Sequence, residues 1–181
     1  MSAHVAFLRA INVTGRFVRM AVLAEHFRSL GHTDAKTYIN SGNVIFTSAT
    51  RSTKRLEISI EEGLSPLLGF TSEVFLRKGQ EVQAIAARAK ELRARTPEAG
   101  EVNVAFLREP LSSAQAEELA SLRSHLDEFV HEGPQIYWLC LGRQMDSKFS
   151  NATLERRLRV RTTFRRVSML QGLAEELRNE A

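Results

Sequence analysis

The chain alternates short apolar runs with longer stretches whose apolar residues recur every three or four positions. His4-Val5-Ala6-Phe7-Leu8-Arg9-Ala10 is a run of the first kind and reads as a buried strand, broken by Asn12-Val13-Thr14-Gly15. Met20, Leu23, Phe27 and Leu30 then share one helical face, and Gly31 is placed as the stop. Thr37 to Phe46 holds two β-prone runs around Asn40-Ser41-Gly42-Asn43, four small residues that prefer tight turns, and predicts a hairpin. Leu56, Ile60, Leu64 and Leu67 mark a second helix, with Gly63 and Pro66 near its end. Ser72 to Arg77 supplies another strand. The order is strand, helix, strand, strand, helix, strand.

That order recurs. Gln80 to about Arg95 reads as a connecting helix and Thr96-Pro97-Glu98-Ala99-Gly100 as a linker. Val104-Ala105-Phe106-Leu107-Arg108 then reproduces Val5-Ala6-Phe7-Leu8-Arg9 unchanged, 99 positions later, and the flanks keep step. Ser112 and Gln115 form a capping-box start for a helix through Ala116, Leu119, Ala120, Arg123 and Leu126. Phe129-Val130 and Ile136 to Leu141 are strands around the His131-Glu132-Gly133-Pro134 turn. A helix from about Ser147 to Leu158, a β-prone piece from Val160 to Phe164 and a last helix from roughly Ser168 to Arg178 complete the chain.

The predicted fold class is α+β: a tandem pair of ferredoxin-like (βαββαβ) units with mainly antiparallel sheets, plus a linking helix and a C-terminal helix. Residues 1–78 are the first unit, 79–100 the connecting helix and linker, and 101–181 the second unit with its C-terminal helix. Each half is small for an independent core, so close packing of the two is expected.

Composition adds bounds. The 181 residues are 43% hydrophobic and 25% charged, as in ordinary globular proteins. No apolar run reaches a membrane span and the N-terminus lacks a signal-peptide pattern, so a cytoplasmic protein without membrane contact is expected. The single Cys140 suits that compartment and lies in an apolar strand, where a core role is favoured over a nucleophile.

Charge is uneven. Between Arg143 and Arg166, eight cations (Arg143, Lys148, Arg156, Arg157, Arg159, Arg161, Arg165 and Arg166) face only Asp146 and Glu155, a net +6 in a chain whose total is +4. Such a segment can meet phosphates or another anionic surface; a solvated helix face is the plainer reading, and slightly favoured.

Catalytic chemistry is not legible. There is no P-loop, GxGxxG or GxSxG pattern, and the five histidines have no metal-ligand spacing, so no cofactor, metal or catalytic residue is assigned. Three local features can bind a ligand. Asn40, Ser41, Gly42 and Asn43 offer amides, a hydroxyl and backbone N–H groups, although turn geometry alone accounts for them. Arg9, with Asn12 close by, and its repeat mate Arg108 sit at strand ends, where an ion pair is the plainer role. Ser147, Lys148 and Asn151 open a helix, where free N–H groups and the helix dipole favour anions, while ordinary N-capping explains Ser147 or Asn151 equally well. An RNA-recognition platform has weak support: adjacent Tyr137 and Trp138 face opposite sides of a strand, and the RNP1 pattern is absent.

Leu8-Arg9-Ala10-Ile11-Asn12-Val13-Thr14-Gly15 closely resembles the opening Leu-Arg-Gly-Ile-Asn-Val-Gly-Gly of the bacterial family known as domain of unknown function 1697. The Met20 helix with its Leu-Gly ending, the Tyr38 to Val44 hairpin and the Ser147-Lys148 to Leu158 helix resemble later segments of that family in the same order. The resemblance implies an α+β protein built from ferredoxin-like units and brings no activity with it. Ala10 and Thr14 replace glycines, and Asn40 stands where glutamine is usual. Thr162 to Ser168 replaces an Arg-Asn-Trp-Asn-Thr stretch, so no role of that tryptophan carries over.

The functional expectation is a binding protein for an anionic ligand, nucleic acid favoured. A small-molecule enzyme or sensor with a polar cleft between the repeats is the alternative, a structural or partner-binding module the third, and the partner expected is nucleic acid or a phosphorylated small molecule.

Overall fold

The structure is a computed structural model describing residues 2–13, 15–39, 42–50 and 52–179. The chain divides into two compact units, the first running through Val82 and the second from Gln83 to Asn179.

Unit 1 contains β1 (Ser2–Leu8), α1 (Met20–Ser29), β2 (Lys36–Tyr38), β3 (Asn43–Ser48), α2 (Thr53–Leu68) and β4 (Val74–Lys78). The strands form an antiparallel sheet in the order β2-β3-β1-β4, with Ala6 opposite both Val44 and Leu76. One sheet face, carrying Ala6, Leu8, Val44, Phe46, Val74 and Leu76, packs with Leu23 and Phe27 of α1 and Leu56, Ile60 and Leu64 of α2. Those are the positions that the three-and-four spacing assigned to a buried face. Val5, Phe7, Ile45 and Phe75, on the other face, are buried as well.

The α2 helix is delimited by its caps. Ser52 Oγ accepts the Arg55 N–H, and Gly69 closes the helix in the left-handed conformation at φ 70°. Glu57 and Glu61, one turn apart on α2, accept the Leu76 N–H (2.9 Å) and the Val74 N–H (2.6 Å). Glu81 takes the Lys78 N–H. Three N–H groups on the outer side of edge strand β4 are thus bound to carboxylates, which removes donors that another strand would need.

Helix α3 (Gly79–Arg95) follows, and the division between the units falls within it. Unit 2 continues with β5 (Glu101–Phe106), α4 (Ser113–Ser121), β6 (Asp127–Glu132), β7 (Gln135–Cys140), α5 (Asn151–Leu158), β8 (Thr163–Arg166) and α6 (Val167–Asn179). Its sheet has the order β6-β7-β5-β8, again antiparallel throughout. Ala105, Phe129, Ile136, Trp138 and Cys140 share a core with Leu119 of α4 and with Leu154 and Leu158 of α5. Tyr137, one residue from Trp138, is buried on the opposite face, as strand alternation requires. The capping box at Ser112 and Gln115 is present in full.

The architecture is therefore mixed α+β, with two four-stranded antiparallel sheets and six α-helices among the described residues. Helix α4 ends at Ser121, short of the expected Arg123 and Leu126, and two candidate site residues are placed differently from expectation. Asn43 is not at the turn tip: it is the first residue of β3, fully buried, and its side-chain amide donates to the Tyr38 carbonyl at 3.1 Å. Ser147 does not open a helix. It follows a 3-10 turn at Gln144–Asp146, and α5 begins four residues later with Ser150 as N-cap, its hydroxyl accepting the Thr153 N–H.

Candidate ligand-binding site

In unit 1 the described sequence candidates are held by their own surroundings. Asn40 and Ser41 lie outside the described residues. Gly42 adopts φ +68°, and a Cβ there would lie 3.0 Å from Ile11 Cβ and 3.3 Å from Leu8 Cβ, so this position needs glycine for both conformation and space. The Gly42 carbonyl accepts the Leu8 N–H at 2.8 Å, which fastens the hairpin to the end of β1. Asn12 turns the chain: its side-chain oxygen accepts the Val18 N–H at 3.0 Å, and its φ is +57°. Arg9 pairs with Glu73 at 3.6 Å, while its carbonyl accepts the Ser72 hydroxyl. Arg108, which ends the identical five-residue run, is exposed.

In unit 2 a network arises that the sequence does not announce. Asp127, at the start of β6, is buried. Its Oδ1 accepts the Trp138 indole N–H at 2.9 Å and the Ser147 hydroxyl at 2.7 Å; its Oδ2 accepts the Ser124 hydroxyl at 2.7 Å. Each serine passes the order on. Ser124 Oγ accepts the Leu126 N–H, and Ser147 Oγ accepts the Phe149 N–H. One carboxylate therefore fixes two loops, Ser124–Leu126 and Ser147–Phe149. A buried carboxylate with several donors is stable, and removing it would orphan all three.

Those loops frame a pocket of about 350 Å³ lined by Leu122, Leu126, Phe149, Ser124, His125, Asp127, Asp146, Lys148 and Thr153. Phe149 is held by ring contacts with Phe129 (4.7 Å) and Trp138 (4.9 Å), so the apolar wall is continuous with the core. Asp146 is engaged by Arg143, whose Nε donates at 2.9 Å. Lys148 is exposed and has no ion pair among the described residues. Both pocket carboxylates are thus committed to other groups, while the lysine is not. Chemically, the pocket offers an apolar wall with one cation, one imidazole and the Thr153 side chain around it.

Of the sequence candidates, Lys148 lines this pocket, Ser147 is bound to the lining residue Asp127, and Asn151 has other work. Asn151 Oδ1 accepts the Thr162 hydroxyl, so this amide ties α5 to the segment before β8. His125, Asp127 and Thr153 went unread because they are scattered singly through the sequence. Ser124-x-x-Asp127 at a strand start was the available signal.

The basic segment is only partly a surface patch. Arg157 is bound to Glu118, Arg161 to Glu155 at 3.6 Å and Arg143 to Asp146. Arg165 departs from the expected patch altogether. Alternation along β8 turns it inward, where its guanidinium donates to the Thr163 hydroxyl and the Phe164 carbonyl, and burial pulls its pKa down to about 10. Arg156, Arg159 and Arg166 are exposed and carry no ion pair among the described residues.

No cluster of metal-ligating side chains occurs among the described residues. Cys140 is buried, and burial, with help from Asp127, Asp146 and Glu101, pushes its thiol pKa up, away from thiolate chemistry.

Comparison with known proteins adds kinship. No curated protein matches the chain. Among solved structures it is similar to a conserved bacterial protein from Streptococcus pneumoniae, at 24% identity and a TM-score of 0.71 over 98% of this chain and 99% of that one, a likeness of fold. A family model described as "Protein of unknown function (DUF1697)" matches residues 1–137, and with that span the chain belongs to the DUF1697 family.

Proposed function

We propose that the protein is a non-catalytic, cytoplasmic binding protein built from two ferredoxin-like units, and that unit 2 takes a small anion attached to an apolar body. The duplication is supported by the identical five-residue run in β1 and β5 and by the same relative strand order in both sheets. The observation that carries the binding reading is the state of the charges at the pocket. Asp127 is bound by three donors and Asp146 by Arg143, while Lys148 lines the same pocket as Leu122, Leu126 and Phe149 and has no ion pair among the described residues. A carboxylate or phosphate can pair with Lys148 and Thr153 while its apolar part covers Phe149.

Calorimetry with a panel of aromatic carboxylates and nucleoside monophosphates tests this. Binding that Lys148→Ala weakens about tenfold, the value of one lost charge-assisted hydrogen bond, supports the reading. Absence of binding across the panel, or binding indifferent to Lys148→Ala, overturns it.

Arg156, Arg159 and Arg166 favour a second reading, in which the anion is a nucleic-acid backbone. Its mark would be affinity for single-stranded RNA or DNA that falls steeply with salt and is lost in the Arg156→Ser/Arg159→Ser/Arg166→Ser variant. Retention of nucleic-acid binding by that variant would overturn it.

A further inference from the structure

Unit 1 carries a feature that neither reading uses. The loop between β1 and α1 exposes Phe17 at 75% and Val13 at 49%, and Val22 in the first turn of α1 is 41% exposed. An open groove of about 940 Å³ runs there, lined by Asn12, Phe17, Val18, Arg19, Met20, Val22 and Leu67. Described residues of the loop are tied to one another: Asn12 N–H bonds the Arg16 carbonyl, Arg16 N–H bonds the Val13 carbonyl, and the Asn12 side chain holds Val18. Arg16 lies over the Phe70 ring at 4.8 Å from its centre. Folding has thus fixed an apolar surface in an exposed position.

We propose that this groove docks a segment of another protein that presents apolar side chains flanked by carboxylates. Phe, Met and Arg are the residue types enriched at protein interfaces, and Phe17, Met20, Arg16 and Arg19 supply them together. Charge selects the occupant. The groove lining holds Arg19 and no acidic residue, and Arg16 is exposed in the same loop. Helix α1 begins at Met20 with no acidic residue in its first turn and no side-chain cap at Arg19, so its positive end adds to the two guanidiniums. A second copy of the chain, docked by two-fold symmetry, would set Arg16 and Arg19 against their own counterparts and be repelled. A small ligand would be enclosed, whereas Phe17 stands in the open and fits a partner that brings its own apolar cover.

The test uses the intact chain and a synthetic peptide carrying Leu and Phe on one helical face and Glu on the other, with a twin in which Lys replaces each Glu. Binding is followed by fluorescence polarisation and by amide shifts in the full protein. The expected result is that the acidic peptide binds, that shifts cluster at Asn12, Phe17 to Val22 and Leu67, and that Phe17→Ser and Arg19→Glu each weaken binding about tenfold or more. Phe17 is so exposed that Phe17→Ser should leave the melting temperature unchanged, which keeps lost binding separate from lost fold. Equal binding of the Lys twin, shifts elsewhere, or no binding of either peptide overturns the proposal. So does a wild-type dimer that Phe17→Ser dissolves, which would assign the groove to self-association. Vesicle binding abolished by Phe17→Ser, with the peptides inert, would assign it to an anionic lipid surface and overturn it equally.

Discussion

Where unit 1 packs rings against Phe46, unit 2 places a carboxylate against the indole of Trp138. The two aromatic residues occupy matching places in the two sheets, since Phe46 pairs with His4 and Trp138 with Asn103, and His4 and Asn103 are 99 residues apart, as the two identical five-residue runs are. His32 lies 4.4 Å and Phe27 5.6 Å from the Phe46 ring, and His4 stacks on it at 5.7 Å. At Trp138 the indole N–H instead goes to Asp127, which also gathers Ser124 and Ser147. A phenyl ring asks only for contact. An indole buried in a core needs an acceptor for its N–H, and the acceptor chosen here has capacity for more donors. That surplus fixes the two loops of the unit 2 pocket. Two sheets of the same relative strand order, with different aromatics at matched positions, carry a plain core in one unit and a framed pocket in the other.

The comparison breaks most readily at Asp127. Asp127→Ala should orphan an indole N–H and two hydroxyls and cost about 3–5 kcal/mol, measured by urea unfolding. Asp127→Asn, which keeps one acceptor oxygen, should cost about half as much. If Ala and Asn cost the same small amount, the network is not what holds the loops.

The hairpin glycines give the next contrast. Gly42 and Gly133 both have positive φ, +68° and +55°. A Cβ at Gly42 meets Ile11 Cβ at 3.0 Å and Leu8 Cβ at 3.3 Å, while one at Gly133 meets only the Gln135 side-chain nitrogen at 3.6 Å. Gly133→Ala should therefore cost about 1 kcal/mol from backbone strain alone, and Gly42→Ala about 2–3 kcal/mol through added overpacking, as a difference in denaturation midpoints. Equal costs would mean that the end of β1 yields easily.

The ring cluster of unit 1 predicts a pH dependence. Burial lowers the pKa of His32 below its ordinary 6.5, assisted by the His4 charge and opposed by the Thr47 backbone and Asp34. The unfolded chain then binds the proton first, so this contribution to stability is complete above 6.5 and declines as pH falls through 6.5 towards the folded value. His32→Gln should flatten the corresponding part of a stability–pH profile between pH about 7 and 5. An unchanged profile would remove His32 as its source.

The smallest effect is expected at Arg9. Its pair with the half-buried Glu73 is long, so Arg9→Gln should cost about 0.5 kcal/mol and less in high salt.

Much of the fold was legible because local physics decided it. The spacing of Leu23 and Phe27, the Ser112–Gln115 capping box and the exact repeat of Val5 to Arg9 each follow from residues within a few positions of one another. The site was less legible. Ser147 reads as a helix cap in sequence, and a carboxylate twenty residues earlier claims its hydroxyl instead. Eight cations in one segment read as a patch, but Glu118, itself 39 residues from Arg157, neutralises one of them, and strand alternation buries another. Asn43 reads as a turn tip, yet it starts β3 because burial of the whole strand sets its register against β1.

What the sequence by itself determined was the succession of strands and helices, its recurring order and their buried faces, since periodicity, caps and turn residues act between near neighbours. Only the tertiary structure decided which polar groups are spent inside the fold and which are not. Asp127, Ser124 and Ser147 are consumed and Lys148 is left, because hydrogen bonds and ion pairs close between residues that only the assembled sheet brings within 3 Å or so of each other.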